Sequence, residues 1–285
     1  MKHKDRPKVF SFCNQKGGVG KTTSAINLAT GLAQSGRDVL LIDSDPQGNA
    51  TSGLGIEKSK NISTIYNMLT DQEDINQIIL NTEIEGLRLL PSNAELSGAE
   101  IELISLPERE FQLKKSLSHL SDEYDYIFID CPPSLGLLTV NALAASNFVL
   151  IPLQCEYYAL EGLGQLLETY SLIKKNLNPG LEIGGVILTM ADFRTKLTEQ
   201  VILEVRNYFK EKVFNSIIPR SVRLSEAPSF GKPGIIYDKF SRGAKGYLDA
   251  IKEFLERFEK SETSQKEYFE TLVKEETSRK EGVEQ

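Results

Sequence analysis

The chain has 285 residues, 40% of them apolar and 26% charged, with a formal net charge of −7. This length and apolar content suit one α/β domain with a sizeable core, and the acidic balance argues against a generally basic nucleic-acid binder. The first residues, MKHKDRPK, are polar and charged, so neither a secretory signal nor a membrane span is expected, and the expected location is the cytoplasm. Cys13, Cys131 and Cys155 are far apart and show no CxxC spacing, which argues for buried free thiols rather than a disulfide framework or a zinc site. The two histidines, His3 and His119, leave histidine-based chemistry almost no material.

Apolar runs alternate with amphipathic segments along the chain. KVFSFC (Lys8 to Cys13) reads as a buried strand, NQKGGVGKTT (Asn14 to Thr23) as a glycine loop, and TSAINLATGLAQSG as a helix. Further strands are expected in RDVLLID (Arg37 to Asp43), GLRLLPS (Gly86 to Ser92) and YDYIFID (Tyr124 to Asp130). NFVLIPLQ (Asn147 to Gln154), IGGVILTMAD (Ile183 to Asp192) and VFNSIIP (Val213 to Pro219) complete the set. Helix-period stretches separate most of them, so the expected fold is a three-layer α/β/α sandwich around a mostly parallel twisted sheet, of the P-loop NTPase type. GYLDAIKEFLERF is expected as a last helix packed on the body, closing a domain of residues 1–258. Residues 259–285 hold eight acidic and five basic side chains and read as a solvated helix or a disordered tail. A membrane-binding helix would want a basic polar face, so membrane targeting is not expected.

A phosphate-binding loop reads G-x-x-x-x-G-K-[ST]. Gln15 stands in the place of the first glycine, while Gly20, Lys21 and Thr22 complete the motif between strand and helix, as its chemistry requires. Backbone N–H groups at the helix start converge on an anion, Lys21 is expected to hold the β and γ phosphates, and Thr22 to offer its hydroxyl to Mg²⁺. Asp130 ends a strand where a Walker B aspartate holds that ion. LLIDSDPQGN adds Asp43, expected in the magnesium shell or as a brace for the loop, and Asp45, expected to position the attacking water. One carboxylate and Mg²⁺ suffice for slow hydrolysis. The absence of an NKxD guanine-reading motif favours ATP. Charge is uneven: residues 192–245 hold eleven Lys/Arg against six Asp/Glu, a local excess compatible with a nucleic-acid face.

Taken in order, KGGVGKT, LLIDSDPQGN and IFIDCPPSLG resemble the ParA/MinD group of deviant Walker A ATPases, most of all its Soj-like chromosomal members. The likeness runs on through LPSNAELSGAEIEL, CEYYALEGL, ILTMADFRT, IIPRSVRLSEAPSFGKPG and YDKFSRGAKGYL. It implies a cytoplasmic, nucleoid-associated ATPase that partitions chromosomes or plasmids with a ParB-type protein on centromere-like DNA. It also implies that Lys16 crosses a homodimer interface to the partner's nucleotide, with Lys16, Lys21 and Asp45 as catalytic groups. The nucleotide would lie against Lys16, Gly17, Gly18, Val19, Gly20, Lys21, Thr22 and Thr23, with Gly17 at the crowded centre of the dimer. Met190 and the stretch Pro219 to Ser221 would hold adenine, although Ser221 departs from the asparagine common in Soj-like chains. Arg194 and Arg223 correspond to arginines that contact double-stranded DNA without sequence preference. Two such spans in a dimer would raise DNA affinity steeply through counterion release. An operator-reading N-terminal segment is not expected, since the first strand begins at about Lys8. Two alternatives share the nucleotide site: a MinD-like membrane-associated positioning ATPase, and a redox enzyme like the iron protein of nitrogenase, for which Cys131 lacks an evident second ligand in the sequence.

Overall fold

Strict alternation in the strands decides the layering. In Lys8–Phe12 (β1), Phe10 and Phe12 pack with one core cluster while Val9 and the following Cys13 pack with the other. The first cluster joins the helix Lys21–Gln34 (α1) and the helix Arg242–Phe258, the second joins the helices Leu137–Ala145 and Leu163–Asn176. The computed structural model describes residues 6–58, 62–121, 124–156 and 163–259. Between the two helical layers run Val39–Asp43 (β2), Leu80–Asn81 (β3), Leu87–Leu90 (β4), Tyr126–Asp130 (β5), Phe148–Gln154 (β6) and Glu182–Thr189 (β7). With β1 they form one sheet in the order β3-β4-β2-β5-β1-β6-β7. β3 is antiparallel to β4 and the other pairs are parallel, so the expected three-layer α/β/α arrangement is what the chain adopts.

Aromatic rings fill the α1 side. Phe10 lies 5.0 Å from Phe254 and 4.8 Å from Phe258, and Phe128 lies 5.6 Å from Phe254, centroid to centroid. Rings at these separations add to the stabilisation from burial alone, and they lock the last helix across the centre of the sheet.

Two expectations about strands need correction. VFNSIIP is not a seventh parallel strand but touches the sheet at two isolated bridges, Val186 with Val213 and Ala191 with Pro219. Between them the N–H groups of Asn215 and Ser216 donate to the Glu253 carboxylate at 2.8 and 2.9 Å, so the backbone leaves the ladder there. The true seventh strand is the two-residue edge β3, too short for periodicity to reveal. β7 stops at Thr189 because Met190 takes φ 52°, a left-handed turn that a strand cannot contain.

The amino edge of the sheet carries a polar clasp. Lys8 Nζ donates to Phe258 O at 2.6 Å, the Arg37 guanidinium donates twice to Glu259 at 2.7 Å each, and Tyr126 Oη donates to the same carboxylate at 2.9 Å. Glu259 is thus held by the body rather than belonging to a solvated tail. Residues 260–285, and residues 157–162 of the CEYYALEGL stretch, lie outside the described residues.

Hydrogen bonding to Arg37 holds the Glu259 carboxyl below its ordinary value. A depressed carboxylate pKa stabilises the fold above the unfolded value of about 4.3, and the contribution fades as pH falls through the folded one. Because the pair is partly solvated, Glu259→Gln is expected to lose only about 1 kcal/mol near neutral pH. Urea unfolding of both proteins should show that difference shrinking as the medium is acidified below the unfolded value; a difference independent of pH would refute the ionic origin.

Candidate active site

β5 is flanked by β1 and β2, and its register sets Asp130 beside Phe12 on one side and Asp43 on the other. The loop after β1 and both carboxylates therefore leave the sheet side by side at its carboxyl edge, where ligands of open α/β sheets collect. In the loop, Gly18 (φ 73°) and Gly20 (φ 88°) take left-handed conformations that only glycine adopts cheaply. Gly20 is the N-cap of α1 and no side chain among the described residues caps that end, so the first N–H groups of the helix are left to an anion. Asn14 Nδ2 donates to Pro152 O at 2.7 Å and Thr189 Oγ1 donates to Val19 O at 2.8 Å, which ties the loop to β6 and β7. A cleft of about 260 Å³ opens beside Thr22 and Thr23, lined also by Asn27, Asn49, Leu224 and Lys232.

The two loop lysines diverge. Lys21 is buried, 7% exposed, and its Nζ donates to Lys16 O at 3.3 Å. Lys16 points outward with 39% of its side chain exposed, and its Nζ lies 3.2 Å from Glu156 Oε2. Glu156 also receives Arg220 Nη2 at 3.3 Å and Gln154 Nε2. Gly17 is exposed, and a Cβ built there would meet nothing within 4 Å.

The carboxylates have unequal surroundings. Both oxygens of Asp130 are buried without a hydrogen-bond partner among the described residues. Burial first, then the charge of Asp43, push its pKa well above the ordinary value, against the opposing influence of the nearby Thr22 hydroxyl and Lys21 ammonium. Asp43 is fully used: Oδ2 accepts Thr51 N at 2.7 Å and Thr51 Oγ1 at 2.8 Å, and Oδ1 accepts Asp45 N at 3.2 Å. Burial raises its pKa to about 6 despite these bonds. Of the two roles expected for Asp43, the geometry is that of the brace: it anchors the short helix Asn49–Gly53 (α2). Asp45 is also buried, with Oδ1 accepting Gln47 N at 2.9 Å and its carbonyl accepting Ser92 Oγ at 2.9 Å. Among the described residues no three His, Cys, Asp or Glu cluster as a metal site, so a divalent cation here would rely on Thr22, Asp130 and oxygens of a bound ligand. The orphaned Asp130 oxygens fit that use.

Thr51, Ser92 and Glu156 were not among the expected site residues. Their partners lie 8, 47 and 140 positions away in sequence, and only the sheet brings the last two pairs together. A second omission concerns Cys131, whose Sγ lies 3.3 Å from Cys13 Sγ.

The remaining expected residues fall on the same edge. Arg220 N donates to Ala191 O at 3.0 Å, which sets Pro219 and Ser221 next to Met190 and so close to the loop that Thr189 holds. Ser221 is the N-cap of the helix Val222–Glu226, but its side chain makes no capping bond. Arg194 is 86% exposed and chelates Asp192 at 2.8 and 2.6 Å, which holds that acid down to about 2. Arg223 pairs with Glu226 at 2.9 Å and Asp238 at 3.4 Å. This region reaches the carboxylates indirectly, through α2: a Cβ on Gly231 would sit 2.7 Å from the Cα of Gly55, so backbone meets backbone just after α2 and just after the turn Ala227–Phe230. Among the described residues no helix is long and apolar enough to cross a membrane.

Known proteins share this arrangement. Residues 7–183 match the family AAA_31, described as an AAA domain. The sporulation initiation inhibitor protein Soj of Bacillus subtilis (strain 168) is 58% identical over 246 residues, 86% of this chain and 97% of its own. The chromosome partitioning protein ParA of Myxococcus xanthus (strain DK1622) is 55% identical over 250 residues, 88% of either chain. Among solved structures, cobyrinic acid a,c-diamide synthase of Mycobacterium smegmatis with bound ATP analogue and magnesium superposes with a TM-score of 0.78 at 36% identity, covering 88% of this chain and 96% of that one. With a glycine loop of this shape, two diverging lysines and relatives this similar over nearly their whole length, the chain belongs to the AAA_31 family and, within it, to the ParA/Soj group of deviant Walker A ATPases.

Proposed function

We propose that the chain is an ATP-dependent ATPase that dimerises on its nucleotide, grips double-stranded DNA without sequence preference, and acts in chromosome or plasmid partition with a ParB-type partner. The divergence of the two loop lysines carries this reading. Lys21 is buried against its own loop, whereas the Lys16 ammonium faces outward beside an exposed glycine. An outward lysine on a phosphate loop is suited to a phosphate bound by another subunit. Partition is the activity named for the Myxococcus relative, and at 55% identity it outweighs the diamide synthase, 36% identical, whose scaffold is shared.

ATP with Mg²⁺ supplies the phosphoanhydride and the positive charge that Asp130 lacks. Thr22 and Asp130 would hold the ion, directly or through water. Lys21 and the N–H groups at the start of α1 orient and neutralise the phosphates. Asp45 accepts a hydrogen bond from the attacking water and aligns it, while Asp43 and Thr51 keep the Asp45 loop in place. Such positioning suffices for slow hydrolysis, which a partner protein accelerates. Arg194 and Arg223 meet DNA phosphates by exchanging Asp192, Glu226 and Asp238 for them. One subunit offers too few such pairings for firm binding; two offer twice the number, and affinity depends steeply on that number.

Three outcomes are expected. In gel shifts, DNA should be retained with ATP but not with ADP or without nucleotide; equal retention in all three states would sink the switch. Gly17→Val should fold normally and bind ATP, because the single chain has room for the side chain, yet sediment as a monomer. An ATP-dependent dimer of that variant would remove the interface from this face. Arg194→Ala and Arg223→Ala should each weaken DNA binding and lower the slope of log affinity against log salt by about one for each DNA phosphate no longer neutralised. An unchanged slope would take the arginine off the DNA.

A further inference from the structure

Cys13 and Cys131 follow Phe12 and Asp130, which are partners in the β1–β5 register. The two side chains therefore emerge side by side, on the sheet face away from α1, and their sulfurs touch at 3.3 Å. Neighbouring strands lie about 4.8 Å apart, within the range of Cα separations that a disulfide spans. Each cysteine also borders the proposed nucleotide site: Cys13 precedes Asn14, which ties the loop to β6, and Cys131 follows Asp130. Cys155, the third thiol, is buried and bonded to no other cysteine among the described residues.

We propose that Cys13 and Cys131 form a reversible thiol modification site beneath the phosphate loop, closed to a disulfide by hydrogen peroxide and reopened by a dithiol reductant. In the first step one thiol and peroxide give a sulfenic acid and water. In the second, the other sulfur attacks the sulfenic sulfur, the S–S bond forms, and the displaced hydroxide leaves as water with the proton of the attacking thiol. The contact geometry supplies this resolving thiol without any search, so the sulfenic acid is trapped before it can be oxidised further. Both thiols are buried, so the pair is closed to peroxide in the folded protein and reacts as the loop opens locally. Closing the bond draws the sulfurs from 3.3 Å to about 2.05 Å. That pulls the start of the loop towards the end of β5 and displaces Asn14 and Asp130 relative to the bound phosphates.

This consequence for nucleotide rests on the function proposed above, whereas formation of the bond does not. Full-length protein is treated with peroxide, denatured, and alkylated with iodoacetamide. The reduced chain should take three labels and the oxidised chain one, on Cys155, with Cys13 and Cys131 in one cross-linked peptide and all three labels restored by dithiothreitol. ATP affinity of the oxidised protein should fall relative to the reduced protein, because the displaced Asn14 and Asp130 no longer match the phosphates and their ion. Cys13→Ala and Cys131→Ala should each bind ATP as the reduced wild type does and ignore peroxide. Three labels after peroxide, or sulfinic acid on either residue without a cross-link, would overturn the site. A cross-link with unchanged ATP affinity would overturn its control of nucleotide. If the reduced protein fails to bind ATP at all, the proposed function falls while the label count still decides the site.

Discussion

Asp130 ends the central strand with two buried oxygens that have no hydrogen-bond partner among the described residues, and Asp43 and Asp45 stand buried nearby. Lys21 is the buried ammonium set among them. An uncompensated buried carboxylate costs several kcal/mol, and proteins retain such groups where a cation or ligand later compensates them. The carboxyl edge of this sheet is built around that excess of negative charge. Asp43 is quieted by Thr51 and the N–H of Asp45, which turns it into a structural anchor, and Asp130 is left to ask for a counter-ion. The fold tolerates this through the rest of its layers: the aromatic packing under α1 and the clasp at Glu259 lie away from the site and hold the sheet irrespective of what binds.

From that anchor a chain of contacts leads outward. α2 hangs on Asp43 through Thr51, and just beyond it Gly55 meets Gly231 backbone to backbone, next to the segment that carries Arg223. On the other side Lys16, Glu156 and Arg220 share one ionic cluster that includes both the phosphate loop and the segment leading to Ser221. Surface pairs of this exposure are worth little, and this weakness suits a group that has to change partners. Arg194 and Arg223 are likewise paired within the chain, so under the proposed function DNA phosphate would replace acids already present rather than bare solvent. In the proposed function, nucleotide, subunit contact and DNA contact are thus all exchanges of ionic partner around one rigid sheet.

Much of this was legible in the sequence because it is local. The glycine loop, Gly20-Lys21-Thr22, and the aspartates ending VLLID and YIFID can be read from spacing and from strands of ordinary length, and α1 follows from its period. What was not legible depends on distant parts of the chain. Nothing near Lys16 announces Glu156, and nothing near Asp43 shows that Thr51 rather than an ion will occupy it. VFNSIIP has strand composition, yet Glu253, on the last helix, takes its N–H groups away from the ladder. Cys131 looked solitary because its neighbour lies 118 positions earlier, across one strand spacing. Arg194 and Asp192 are close in sequence, but their chelate depends on the turn that Thr195 N closes onto Asp192 O.

The central claim is that Lys21 serves the nucleotide of its own subunit and Lys16 that of the partner. It is tested most directly by mixing two inactive proteins, Lys16→Ala and Lys21→Ala, and measuring ATP hydrolysis with DNA and the partner protein present. A mixed dimer holds one complete site, made of Lys21 from the first protomer and Lys16 from the second, so the mixture should hydrolyse ATP where neither protein does alone. Activity no greater than the sum of the two would mean that both lysines act within one chain, and the account of a shared site would be wrong.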